Sequence, residues 1–335
     1  MNDNRRQIFS WQQQGLIKNS DINKALSLSE SNHTPINWLN FLSKLLLWLS
    51  LLSIAFGCIF FFAYNWGALS TFQKFAIIQG LIIISVTFYT QTEVYSTANT
   101  AILFFIALLI GSLFALFGQT YQTGKDPWQL FFIWAISIIP LAFTSKSSSL
   151  WLLWLFLANL ALQLFLHTRH SFFGMIFQDE RNMLAFAFLN LLAAVIFEFL
   201  SHKKQIVNRI ASQVATIAAM VAFTWVAIYT IFELFHSSKH SYDLFIYVAW
   251  MAAIYFYYRV KTLDVLILSS WVFSGIICIL AFVGRTMGDS FEEGTLLLIG
   301  ILIIGFSTIG VKWLMALLKD DQNQIKTLEN NGEQS

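Results

Sequence analysis

Charge is what this chain has least of. Only 11% of its 335 residues are Asp, Glu, Lys or Arg, against about 25% in an ordinary soluble domain, so it lacks the polar surface that a water-soluble fold of this length needs. The net charge is +2, and its basic residues are scattered through short polar stretches without forming a stripe, which argues against a nucleic-acid partner. Its two cysteines, Cys58 and Cys278, lie far apart inside apolar runs. They read as small packing residues in preference to a disulfide or a metal pair. GxSxG, P-loop, GxGxxG and HExxH phrases are all missing, and no polar stretch pairs a nucleophile with a base. No catalytic residue, metal site or cofactor is expected.

What fills the chain is apolar length. Hydrophobic residues make up 57% and the mean hydropathy is +0.64. Runs of about 20 such residues, rising about 1.5 Å each, cross a hydrocarbon core about 30 Å thick. Ten spans are expected, near Leu42 to Tyr64, Phe72 to Tyr89, Ala98 to Phe117, Trp128 to Thr144, Leu150 to Leu166, Met183 to Leu200, Ala211 to Phe235, Tyr242 to Tyr258, Leu263 to Val283 and Gly294 to Leu318. The fold class is therefore an all-α polytopic helical membrane bundle over residues 41–318. Residues 1–40 are too polar for a signal peptide and read as a small cytoplasmic helical hairpin around Gly15, with Pro35 breaking the chain before the first span. Residues 319–335 are polar and without apolar periodicity, which predicts a disordered tail. Of the 20 Lys and Arg, 14 fall on the side of the N-terminus. The other six are Lys74, Lys125, Arg169, Arg181, Lys239 and Arg285. The positive-inside rule then places both termini in the cytoplasm of a bacterial inner membrane.

One stretch interrupts the apolar pattern with neutral polar side chains, Gly118 to Phe132, GQTYQTGKDPWQLFF. A ladder of small residues, Ala107, Gly111 and Ala115, precedes it and lets its helix approach neighbours closely. Gly118 is expected to end that helix. Asp126 can cap the next one, Pro127 suits its first turn, and Gln129 is placed to reach back to the cap. The phrase GQTYQTGKDPWQLFFIW resembles the signature region of the predicted bacterial membrane proteins grouped as the domain of unknown function 2157. WQQQGLI at Trp11 to Ile17, AYNW at Ala63 to Trp66 and SLWLLWLFLANLAL at Ser149 to Leu162 fit the same family. The resemblance implies a similar topology and membrane location, with no activity or site residues to carry over.

Amides at mid-membrane are costly enough to need a reason. Asn159, Gln163 and His167 share one face of the fifth span, and Asn190 and Glu198 share a face of the sixth, so Asn159 and Asn190 meet at similar depth and can bond to one another. Gln79 on the second span reads the same way. Glu198, Glu233 and Asp264 lie near span ends and are expected to reach interfacial water. His167 with His170, and His236 with His240, have metal-compatible spacing but no cysteine or carboxylate beside them. They read as solvated residues.

Three functional classes stay open. The first is a non-enzymatic membrane protein that binds a partner, such as another membrane protein, or a neutral polar ligand at its outer face, through Asn65, Trp66, Gln119, Tyr121, Gln122, Asp126 and Trp128. These offer directional hydrogen bonds beside aromatic surfaces. The second is a secondary carrier of a small polar solute, which internal five-plus-five symmetry would favour; nothing in the second half echoes GQTYQTG or AYNW. The third is a membrane-embedded lipid-modifying enzyme. Apart from such a partner, the lipid bilayer is the one surrounding the sequence assigns.

Overall fold

In the computed structural model Ser70 opens the first of the long helices whose full range is described. Its Oγ accepts from the Gln73 amide at 3.3 Å while Gln73 Oε1 accepts from the Ser70 amide at 2.9 Å, a reciprocal cap that satisfies two otherwise unpaired donors. The structure describes residues 8, 11–12, 16–18, 21–22, 24–25, 42–43, 45–50, 53–54, 57, 60, 67–121, 126–168, 182–204, 209–233, 241–287 and 293–333. Among the described residues the long helices are α1 (Thr71–Gln91), α2 (Thr97–Tyr121), α3 (Pro127–Ser145), α4 (Ser148–Thr168), α5 (Asn182–Lys204), α6 (Arg209–Glu233), α7 (Ser241–Phe256), α8 (Val265–Thr286) and α9 (Glu293–Glu333). Among the described residues there is no strand.

Eight of these helices, all but α7, are long and apolar enough to cross a membrane, and the chain is a multi-pass membrane protein. The first expected span, Leu42 to Tyr64, falls largely outside the described residues. The eighth is α7, whose 16 residues continue without a break through a π-helical turn, Tyr257–Lys261. Most of the N-terminal hairpin also lies outside the described residues. Ile8, Trp11 and Gln12 before Gly15 are helical, as are Ile22, Lys24 and Ala25 after it. At the other end the backbone departs from expectation. Residues 319–333 continue α9 as helix to Glu333; the run DDQNQIKTLEN holds neither of the strong helix breakers, glycine and proline, and extends a nucleus that the preceding helix provides.

The chain divides into two units, Met1–Trp48 with Val311–Ser335, and Leu49–Gly310. In the larger unit α6 is the most enclosed span, with 61% of its central window buried, against 17% for α8. Composition explains this. Ala211, Ser212, Ala215, Thr216, Ala219 and Ala227 are all buried, and small side chains let neighbouring backbones approach where no hydrophobic effect separates helix from lipid. Large apolar residues point outward instead, as Val221 and Trp225 do from α6 itself, which is the arrangement lipid tails accept.

The small-residue ladder of α2 works as the sequence suggests. Gly111 leaves a gap that the Trp134 indole of α3 occupies, and a Cβ there would overlap that ring. Trp134 Nε1 then donates to Ala107 O at 2.8 Å. Helices α3 and α4 are joined by a tight turn through Lys146, whose φ of 48° is left-handed. The Lys146 ammonium lies 4.6 Å from the ring centre of Tyr95 in the α1–α2 turn, so these two turns share one end of the bundle. At mid-span the α4 and α5 amides form a closed pair. Asn190 Nδ2 donates to Asn159 Oδ1 at 2.7 Å and Asn159 Nδ2 to Asn190 Oδ1 at 3.1 Å. Each also donates to a carbonyl four residues back in its own helix. A pair of this kind is worth about 0.6 to 2 kcal/mol. Gln79 and Gln163 do not join such a network: both are exposed on the outside of their helices.

Candidate functional site

The polar stretch singled out in the sequence folds differently from its punctuation. Helix α2 does not end at Gly118 but runs to Tyr121, because a glycine within an apolar membrane helix costs little when its neighbours keep the ladder intact. Asp126 occupies the cap position of α3 and Pro127 its first turn, yet the Asp126 side chain makes no cap hydrogen bond. Its Oδ2 accepts from Trp128 Nε1 at 3.4 Å, and Gln129 Oε1 is left without a partner. Gln119 and Tyr121 are exposed on the last turn of α2, with the Tyr121 ring 4.7 Å from Phe117 and 6.4 Å from Phe75. Trp128 packs edge-on to Phe165 at 5.0 Å. Asn65, Trp66 and Gln122 lie outside the described residues.

A second place brings more chemistry together. Helices α5 and α7 pack on the two sides of α6, and between them lies a cavity of about 670 Å³, within the range of small-molecule sites, about 300–1,000 Å³. Its walls are two stripes. From α5 come Leu191, Ala194, Val195, Glu198 and Phe199; from α7 and its π-turn come Trp250, Ala253, Ile254, Tyr257, Tyr258 and Lys261. Both follow the i, i+3, i+4, i+7, i+8 spacing of one helix face. Thr216 of α6 contributes to the floor and Thr262 closes one end. The stretch from Trp250 to Lys261 covers roughly 16 Å along the helix.

The groove is polarised along that length. At its deep end Trp250 is buried and stacks on Phe223 of α6 at 5.0 Å; its Nε1 has no hydrogen-bond partner. Ala194 and Ala253 hold the middle open. At the other end the charged and hydroxyl groups collect. Ser212 of α6 donates to Glu198 Oε2, and Tyr257 donates to Glu198 Oε1 at 3.4 Å. The Tyr258 hydroxyl lies 3.4 Å from Thr216 Oγ1, and the exposed Lys261 ammonium sits 5.3 Å from the Tyr257 ring centre. The π-turn, closed by Thr262 N donating to Tyr257 O at 3.2 Å, lets two adjacent tyrosines reach two different helices. Turns of this type are uncommon and recur at functional sites.

Just beyond this end an ion pair clamps the starts of α6 and α8. Arg209 Nε donates to Asp264 Oδ2 at 2.9 Å and Gln213 Nε2 to the same oxygen at 2.8 Å. Asp264 Oδ1 caps α8 by accepting from the amides of Leu266 and Ile267. Asp264 is buried, contrary to the expectation that it reaches interfacial water. Glu198 likewise turns inward to hydroxyls. The sequence shows how far each carboxylate lies from a span end but not which neighbour supplies donors, so burial was the missing information. Deeper between α6, α7 and α8, Ser274 Oγ lies 2.6 Å from Thr224 Oγ1 and 2.8 Å from the Tyr247 hydroxyl, with Cys278 buried nearby as a free thiol. Of the four loop histidines only His167 is described, and it is exposed on the last turn of α4. Among the described residues no group of three His, Cys, Asp or Glu could hold a metal ion.

The family described as a predicted membrane protein, DUF2157, matches residues 9–151, and the resemblance read from the sequence holds over that segment, which contains WQQQGLI, AYNW and GQTYQTGKDPWQLFFIW in full. It ends before the helices that build the groove. No curated protein and no solved structure matches the chain.

Proposed function

We propose that this protein is a non-enzymatic binding protein of the bacterial inner membrane whose ligand is an amphiphile drawn from the bilayer into the α5–α6–α7 groove. One observation carries this: the groove is apolar along most of its length and gathers its charged and hydroxyl groups at one end. A soluble polar solute would leave the apolar walls unmet, whereas a molecule with an apolar chain and a polar head matches both ends at once. The serine hydroxyl that donates to Glu198, that of Ser212, is fully buried and does not line the groove, which is why binding is favoured over lipid modification. The carrier reading remains the second choice, since a groove between helices is also where carriers hold their cargo.

The outer-face reading keeps a narrower basis. Gln119 and Tyr121 are exposed at the end of α2, where a partner's loop or a neutral polar ligand can reach them, but Trp128 and Asp126 are already engaged with one another. Orientation rests on the charge asymmetry: with both termini cytoplasmic, Glu198, Tyr257 and Lys261 lie at the inner end of the groove, with Arg209 and Lys146 on the same side. A reporter fused after Ser335 is expected to be active inside the cell only, and one inserted at Gly124 outside only. A C-terminal reporter active only outside would overturn this orientation.

The groove itself is tested by filling it. Ala253 is exposed on the groove wall, so Ala253→Trp adds an indole there with little cost to the helix packing. Delipidated protein reloaded with a bacterial polar lipid extract is expected to retain a bound lipid in native mass spectrometry, and Ala253→Trp is expected to lose it while melting at nearly the same temperature. Equal retention by the two proteins would sink the groove reading.

A further inference from the structure

The geometry points to the head group this groove selects: a glycerophospholipid whose phosphate meets Lys261 and whose head also carries a hydrogen-bond donor, an amine or a hydroxyl, for Glu198. This rests on the amphiphile reading above and narrows it. Lys261 and Glu198 line the same end of one cavity, from α7 and α5 respectively, and are not bridged to each other. The Glu198 carboxylate is held by Ser212 and Tyr257 from the α6 and α7 sides, which fixes its position near the groove. Lys261 stands one helical turn beyond Tyr257, its ammonium against the aromatic ring, and no carboxylate among the described residues pairs with it.

An ammonium has three donors and no acceptor, and a carboxylate is acceptor-only. Two such groups at the same end of one apolar groove therefore ask for an anion at one point and a donor at the other. A free fatty acid meets Lys261 but sets its carboxylate against Glu198. Diacylglycerol offers a donor but no anion. A choline head supplies the phosphate, yet its quaternary nitrogen has no N–H to give. Ethanolamine and glycerol heads satisfy both positions. Thr262, beside Lys261 at the same end, adds an unpartnered hydroxyl oxygen. Basic residues at the cytoplasmic surface attract anionic lipids by about 1 kcal/mol each, so the preference expected from Lys261 is several-fold to about tenfold.

The test loads the full-length protein in detergent with four defined lipids of identical acyl chains, carrying phosphatidylethanolamine, phosphatidylglycerol, phosphatidylcholine and diacylglycerol heads, with inorganic phosphate as a separate competitor. Affinities are read by native mass spectrometry. The expected order is ethanolamine and glycerol heads first, choline about tenfold weaker and diacylglycerol weakest. Lys261→Gln, an exposed position that leaves folding intact, is expected to bring the phospholipids down to diacylglycerol. Glu198→Gln is expected to narrow the gap between ethanolamine and choline. Equal affinity for all four lipids, still blocked by Ala253→Trp, would overturn the head-group inference and leave the groove reading standing. Binding of none of the four would remove both. Displacement of bound lipid by inorganic phosphate alone would make the site one for a free phosphate and overturn the lipid assignment.

Discussion

Asp264→Ala is expected to lower the stability of the detergent-solubilised protein by about 2 to 4 kcal/mol. The side chain is 4% exposed and its partner Arg209 is 30% exposed, so removing the carboxylate breaks this ion pair at a partly dry site. Three more donors lose their acceptor in the same step: Gln213 Nε2 and the amides of Leu266 and Ile267. Loss of a helix cap alone costs about 1 kcal/mol. Arg209 can turn part of its guanidinium toward water, which keeps the total below the upper range for a fully buried pair. Asp264→Asn retains an acceptor for the α8 amides and loses only the charge, so it is expected to fall between wild type and Ala. Thermal unfolding of the three proteins in one detergent separates them. A loss under about 0.5 kcal/mol for Asp264→Ala, the size of an ordinary surface change, would show that the clamp between α6 and α8 contributes nothing.

That clamp also shows where sequence reading stops. Hydrophobic run length makes the helices legible, since a span has to pair its backbone internally and stay apolar over its length. Asn159 and Asn190 are legible for a related reason: each sits near the middle of its span, and an amide at that depth needs a partner on a neighbouring helix. Asp264 and Glu198 are not, because a carboxylate near a span end has water available in principle. Only the packing of α6 against both neighbours reveals that Arg209, Gln213, Ser212 and Tyr257 fill that role instead.

The groove was hidden for a different physical cause. Its two stripes are visible as spacings, Leu191 to Phe199 and Trp250 to Lys261, but apolar residues at helical spacing are the ordinary dress of any membrane helix. What makes them walls is the rotation of α5 and α7 about α6, with alanines at Ala194 and Ala253 where larger side chains would close the gap. A π-turn cannot be read from YYRVK. Punctuation in the outer stretch, by contrast, was easy to read and partly misleading. Asp126 and Pro127 do start α3, whereas Gly118 ends nothing, because glycine signals a helix end in water more strongly than it does in lipid.

Glycine carries the second large effect, at Gly111. Gly111→Ala is expected to destabilise the bundle by about 2 kcal/mol and Gly111→Val by more, since the new Cβ falls inside the Trp134 indole. That ring cannot step aside freely: its Nε1 donates to Ala107 O at 2.8 Å one turn earlier on the same helix, so relieving the overlap breaks the bond that fixes it. Gly80 of α1 provides the contrast. A Cβ there meets nothing within 4 Å, so Gly80→Ala is expected to be neutral or to stabilise by up to about 1 kcal/mol through helix propensity alone. Trp134→Phe costs about 1 kcal/mol by losing the N–H bond but shrinks the ring, and Gly111→Ala in that background is expected to cost less than it does beside Trp134. The two changes touch, so their effects need not add. If Gly111→Ala and Gly80→Ala shift the melting temperature equally, or if Trp134→Phe gives no relief, the close approach of α2 and α3 through the Ala107–Gly111 gap is wrong, and with it the reason for small residues at that spacing.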